Sequence, residues 1–93
     1  MLREDGIVMD DGTTTRISEN HYHMTTTTAQ AANVLSHLEY YLQLVSPELN
    51  VNVVSTTEQW AGAAIAGPKS RDLLQILFLN SDVSGEGLPF MGY

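Results

Sequence analysis

The stretch TTTTAQAANVLSHLEYYLQLV, residues 25–45, decides the fold. From Ala31 onward, Leu35, Leu38, Leu42 and Val45 recur at the three- and four-residue steps of a helix, and Val34 and Tyr41 widen the same stripe. Asn33, Ser36, His37, Glu39 and Gln43 fall on the other side, so the spacing predicts a helix with one buried face. Thr27 followed three residues later by Gln30 has the form of a capping box, in which the two side chains each satisfy a backbone N–H at the helix start. The threonine tract therefore ends a strand and begins the helix. Pro47 stops it, because proline lacks the N–H that a further turn would need.

On the N-terminal side the pattern changes from helical to alternating. Ile7-Val8-Met9 is a short apolar run closed by Asp10-Asp11-Gly12, and Asp-Gly favours a tight turn because glycine accepts positive φ. Thr13 to Ile17 is rich in β-branched residues and reads as a second strand, Ser18-Glu19-Asn20 as a turn, and His21 to Thr26 as a third strand. On the C-terminal side, Asn50 to Thr57 and Gln59 to Ala66 read as two further strands, with Ala61, Gly62, Ala63 and Ala64 leaving room for a close neighbour. Gly67-Pro68 then punctuates the chain, and proline suits the first turn of a helix whose buried side is Leu73, Leu74, Ile76 and Leu77. Ser81 to Gly87 is a polar loop. The final Leu88-Pro89-Phe90-Met91-Gly92-Tyr93 is apolar, either the start of another strand or a segment folded back on the core. The order predicts an α+β fold, a mostly antiparallel sheet with two helices, in a single domain over residues 1–93.

A chain of 93 residues with 43% hydrophobic content is enough for one modest core, and a domain of this size leaves apolar edges for docking or self-association. Eleven acidic against four basic side chains give a net charge of −7, which repels phosphate backbones and anionic lipid. No nucleic-acid or membrane partner is expected. Cysteine is absent, so disulfides, thiolate nucleophiles and cysteine metal sites are excluded. No stretch approaches the roughly 20 apolar residues of a membrane-spanning helix, and residues 1–6 carry no signal-peptide run; a cytoplasmic protein is the expectation.

Few residues offer chemistry. Asp10 and Asp11 are adjacent, so on an extended backbone they point to opposite faces, and at most one of them faces a site. The plainer reading is a turn whose carboxylates accept backbone N–H groups. His21 and His23 share a strand face, but no third ligand lies near them, and no metal site is expected. Neither a Gly-x-Ser-x-Gly elbow nor a glycine-rich phosphate loop is present.

Four blocks together resemble a known family. Met1-Leu2-Arg3-Glu4-Asp5-Gly6-Ile7-Val8-Met9-Asp10-Asp11-Gly12-Thr13-Thr14 is similar to the short hydrophobic Asp-Asp strand of the glycine-cleavage T-protein family. The other three blocks are His21 to Thr28, Ser55 to Trp60 with the Ala63 to Ser70 step, and Leu88-Pro89-Phe90-Met91. Their order and spacing resemble the branch of that family found in the alpha subunit of heterotetrameric sarcosine oxidase. The resemblance implies part of the first subdomain of a T-protein-like, folate-binding fold.

It also implies residue roles. The second aspartate of the family's pair lies beside tetrahydrofolate and is needed to move the one-carbon unit, a catalytic and cofactor-binding role that would fall on Asp11. The position four residues further on lines the folate site; it is Thr15 here, where the family commonly has tyrosine. Thr26 and Thr27, at the strand-to-helix junction, approach the same cavity. The family's glutamine before Gly-Pro is Ala66 here. The parent enzymes oxidise sarcosine at a flavin in another subunit and carry a nicotinamide-binding region elsewhere, so the implied partners are the other subunits of a sarcosine oxidase complex. The implied cofactor of this segment is tetrahydrofolate, and the segment by itself is expected to be an inactive fragment. Alternatives are a piece of an aminomethyltransferase or dimethylglycine dehydrogenase, or an acidic α+β module that binds a protein partner without catalysis.

Overall fold

The computed structural model describes residues 1–92; Tyr93, part of the apolar ending, lies outside them. The architecture is α+β, with a two-stranded antiparallel sheet and two α-helices. The chain divides into two compact units, Met1–Ala61 and the residues from Gly62 on.

In the first unit, β1 (Thr14–Ser18) and β2 (His21–Met24) form the expected hairpin. The register pairs Thr14 with Met24, Thr15 with His23 and Arg16 with Tyr22, and a bulge at Ile17 brings Ser18 opposite His21. Arg16 ties the turn by donating from Nε to the Ser18 carbonyl at 3.2 Å and from Nη2 to the Glu19 carbonyl at 3.1 Å. Such side-chain bonds satisfy carbonyls that the bulged ladder leaves unpaired.

The first strand of the expected meander is reduced to a single bridge between Leu2 and Val8. Its turn lies at Glu4-Asp5-Gly6 rather than at Asp10-Asp11-Gly12. Gly6 has φ +80 and donates to the Arg3 carbonyl at 3.0 Å, while the Ile7 N–H donates to Asp5 Oδ1 at 3.0 Å. Gly12 is wanted for another reason: a Cβ there would run into the Thr25 carbonyl. The Asp-Gly pair thus marks a close approach of two backbones instead of a positive φ.

The long helix forms where its periodicity places it. A 3-10 turn at Thr28–Gln30 leads into α1 (Ala31–Tyr40), which continues as a π-type turn over Tyr41–Val45. Ser46 N–H closes that wide turn on the Tyr41 carbonyl at 2.7 Å, just ahead of Pro47. Val34 is 2% exposed and Ala31, Leu35, Leu38, Tyr41 and Leu42 are half-buried, whereas Val45 is exposed. His37, expected on the outer side, is half-buried with its ring 4.9 Å from that of Tyr41.

The capping box does not form. Thr27 makes no side-chain cap bond, and the Gln30 carbonyl oxygen Oε1 accepts from Asn33 Nδ2 at 2.7 Å. The strands expected over 50–57 and 59–66 are also absent; a 3-10 turn occupies Thr57–Gln59. Val51 and Val54 are exposed. Branched residues favour a strand only where a neighbouring edge accepts their backbone bonds and covers one face.

In the second unit, Gly67 adopts φ +119 and α2 runs Ser70–Leu77. Pro68 stands just ahead of the helix instead of inside its first turn. The intended buried side is open: Leu73, Ile76 and Leu77 are exposed and Leu74 is half-buried. Val83 is the buried apolar residue of this unit, and the Arg71 guanidinium donates to its carbonyl. Phe90 and Met91 are exposed and do not fold back on a core.

Candidate functional site

Asp10 and Asp11 follow the bridge residue Val8 in a segment outside the regular strands, and one is buried while the other is exposed. Asp10 is 7% exposed. Its Oδ1 accepts the Thr27 hydroxyl at 2.7 Å and its Oδ2 accepts the Thr27 N–H at 2.9 Å. The Thr27 hydroxyl holds the Asp10 carboxyl below the usual carboxylate range; loss of water around it works in the opposite direction, and the Thr27 N–H adds to the lowering. Asp10 is therefore an ionised group kept inside by two donors on one residue, which is how a buried charge is made tolerable.

Asp11 is exposed. Its Oδ1 accepts the N–H of Gly12 at 2.8 Å, and its Oδ2 has no bonded partner among the described residues. The turn-capping reading describes Oδ1, and the second oxygen is left for solvent or a ligand. The backbone on either side is pinned, by Asp10 through Thr27 and by Gly12 against Thr25. One residue further on, the Thr13 N–H donates to Thr25 Oγ1 at 2.9 Å, while the Thr25 N–H donates to the Thr13 carbonyl at 2.8 Å.

The other three candidate residues lie on elements that meet this segment. Thr26 and Thr27 stand where the hairpin's second strand passes into the helix. Both lie in the middle of the threonine tract, Thr26 half-buried with its hydroxyl donating to the Thr27 carbonyl at 3.1 Å. Thr15 is half-buried on β1 opposite His23. The His23 ring lies 5.1 Å from that of Trp60, which is 67% exposed. The hairpin thus brings Asp11, Thr15, Thr26 and Thr27 onto one connected piece of backbone.

Two open cavities lie elsewhere. An open cavity of about 310 Å³ is lined by Arg3, Glu4, Asp5 and His37. Another, of about 410 Å³, is lined by Ile65, Ala66, Gly67, Pro68, Lys69, Ser70 and Leu73 in the second unit. Neither includes the four candidates. Among the described residues no cluster of three or more His, Cys, Asp or Glu is arranged to hold a metal ion, and no helix is long and apolar enough to cross a membrane.

Sequence reasoning missed the bond between Asp10 and Thr27. The doublet itself held a signal, since one of two adjacent carboxylates on an extended backbone must turn inward and find donors. Which donors depends on a hairpin that brings residues 17 apart into contact.

The GCVT N-terminal domain matches residues 1–93, and the chain belongs to that family. Its curated relatives sharpen the assignment. It is 53% identical over 91 residues, 98% of the chain, to the sarcosine oxidase subunit alpha of Rhizobium meliloti (strain 1021), and covers 9% of that protein. Against the sarcosine oxidase subunit alpha of Corynebacterium sp. (strain U-96) the identity is 45% over 93 residues, 100% of the chain and 10% of the relative. An aminomethyltransferase of Staphylococcus haemolyticus (strain JCSC1435) is 33% identical over 90 residues, 97% of the chain and 23% of the relative. The resemblance to the sarcosine oxidase alpha branch is borne out. The chain spans about a tenth of the length of the sarcosine oxidase relatives. No solved structure matches it.

Proposed function

We propose that the chain forms one wall of a tetrahydrofolate site in a polypeptide of the sarcosine oxidase alpha type, as part of the first subdomain of a T-protein-like fold. The observation that carries this reading is the likeness to sarcosine oxidase alpha subunits along the whole chain, 53% identical in the Rhizobium meliloti protein. The parent reaction takes two electrons from the N-methyl group of sarcosine at a flavin in another subunit and passes them to oxygen, giving peroxide. Glycine is released, and the one-carbon unit leaves at the oxidation level of formaldehyde. Tetrahydrofolate, when bound, supplies the amine nitrogens that take up that unit.

The residues suit one side of such a site. Asp11 offers a carboxylate oxygen free to take a proton from an amine or to stabilise positive charge developing on it. Thr15 and Thr26 offer hydroxyl groups, and Thr27 holds the junction beside them. Neither open cavity includes these residues, which is consistent with a wall that needs further chain and the other subunits to close it.

Two measurements test the reading. The isolated chain is expected to release no peroxide from sarcosine, since the reading places the flavin in another subunit; peroxide formed by the pure chain would overturn this. Calorimetry is expected to find tetrahydrofolate binding weaker than micromolar, because a single wall forgoes most of the burial that gives small ligands affinity. Micromolar or tighter binding that survives Asp11→Ala would contradict both the wall and the role of Asp11. The exposed apolar side of α2 favours a second reading, a non-catalytic module docking onto protein, which predicts that Asp11 is dispensable in every context.

A further inference from the structure

Asp10 has no part in the reading above, yet it is the buried polar residue among the described ones. We propose that Asp10 is a positioning residue for Asp11, locked by Thr27, so that the aspartate pair is divided between one carboxylate that holds the backbone and one that faces the ligand. The proposal rests on the reading of Asp11 as the folate-side carboxylate.

Both oxygens of Asp10 are engaged by Thr27 at 2.7 and 2.9 Å, so accepting a proton from a ligand would cost it a charge-assisted bond. Two bonds from one carboxylate to one residue fix an orientation, where a single bond would leave rotation about it. Residue 10 is thus held to the residue that precedes the helix, across 17 positions of sequence. Residue 10 is buried and residue 11 is exposed. Gly12 closes the other side, because its Cα sits too near the Thr25 carbonyl to admit a side chain. Asp11 therefore stands between two pinned residues, with Oδ1 on the Gly12 N–H and Oδ2 without a bonded partner among the described residues.

Thr27 supplies the independent sign. It precedes the 3-10 turn that leads into α1, with φ −66 and ψ 141, and its hydroxyl makes no cap bond there. A threonine that leaves the helix start uncapped in order to donate twice to a distant carboxylate is holding the two segments in register.

The experiment uses a sarcosine oxidase whose alpha subunit carries residues 1–93, turning over sarcosine with tetrahydrofolate present. The quantity read is methylene-tetrahydrofolate formed per peroxide released, which corrects for the amount of folded enzyme. Thr27→Val removes the hydroxyl bond and keeps the shape; Thr27→Ser keeps the bond. Thr27→Val is expected to lower the ratio by on the order of 10²-fold at saturating tetrahydrofolate, the scale of a small misplacement of a reacting group. Thr27→Ser is expected to restore it, and Asp11→Asn to abolish it. If Thr27→Val were as competent as Thr27→Ser while Asp11→Asn lost the ratio, the positioning role would be wrong and the folate reading would stand. If Asp11→Asn kept the ratio, the folate reading would fail and the positioning role with it. Should Thr27→Val not assemble, Asp10→Asn serves instead: its amide retains one acceptor oxygen, so an intermediate ratio supports the lock and an unchanged ratio overturns it.

Discussion

The two units of the chain are held in different ways. In the first, polar contacts between distant residues set the geometry: Asp10 with Thr27, Thr13 with Thr25, and the ladder of β1 and β2. In the second, Arg71 reaches the Val83 carbonyl across 12 positions, but the other bonds are local, as in Asp82 accepting the Ser84 N–H at 2.9 Å, and α2 leaves Ile76 70% exposed. The difference teaches that a chain with few buried side chains can still fix one segment closely. A hydrogen bond between remote residues specifies position, whereas apolar area stabilises only when something covers it.

The comparison breaks most visibly through the helices. Val34→Ala should cost about 2 kcal/mol, the transfer and cavity cost of a buried aliphatic side chain, whereas Ile76→Ala should stay within about 0.5 kcal/mol because the side chain is already in water. Urea melts of the two variants check this, and equal losses would mean that α2 is covered in solution. Gly12→Ala comes next. Its new methyl group meets the Thr25 carbonyl, so a loss of about 1–3 kcal/mol is expected by analogy with overpacking elsewhere, again read by urea melts.

Acid sharpens the same contrast. Asp10 and Asp82 are both held below the ordinary value, Asp10 chiefly by the Thr27 hydroxyl and Asp82 chiefly by its bond to the Ser84 side chain. A carboxyl lowered on folding contributes stability that is fully present above its unfolded value, near 4, and is lost as the pH falls through its lower folded value. Melting temperature should therefore drop below about pH 4, and Asp10→Asn should flatten part of that drop. A pH profile identical to the parent's would remove Asp10 from the account. The smallest effect belongs to the exposed ion pair of Arg3 and Asp5, 2.7 Å apart: Arg3→Ala should change stability by less than about 0.5 kcal/mol, and the change should vanish in high salt.

The hairpin and the long helix were legible because their signals are local. The β-branched run Thr13 to Ile17, the Ser18-Glu19-Asn20 turn and the Leu35, Leu38, Leu42 spacing each act within a few residues. Residues 50–66 were misread because the same branched composition that makes a strand beside a neighbour stays irregular without one. Of the candidate site, the sequence suggests that at most one of Asp10 and Asp11 faces a ligand, in keeping with one being buried and one exposed, and the family resemblance names Asp11 as the candidate. That Thr27 would bond to Asp10 instead of capping its helix could not be read, since cap and lock use the same hydroxyl and only the hairpin's register decides between them.

The role of Asp11 as the ligand-facing carboxylate is tested most directly by single-turnover capture of the one-carbon unit in the assembled sarcosine oxidase, comparing the parent with Asp11→Asn at saturating tetrahydrofolate. Peroxide is expected still to form from sarcosine while methylene-tetrahydrofolate does not; undiminished methylene-tetrahydrofolate from Asp11→Asn would contradict that role.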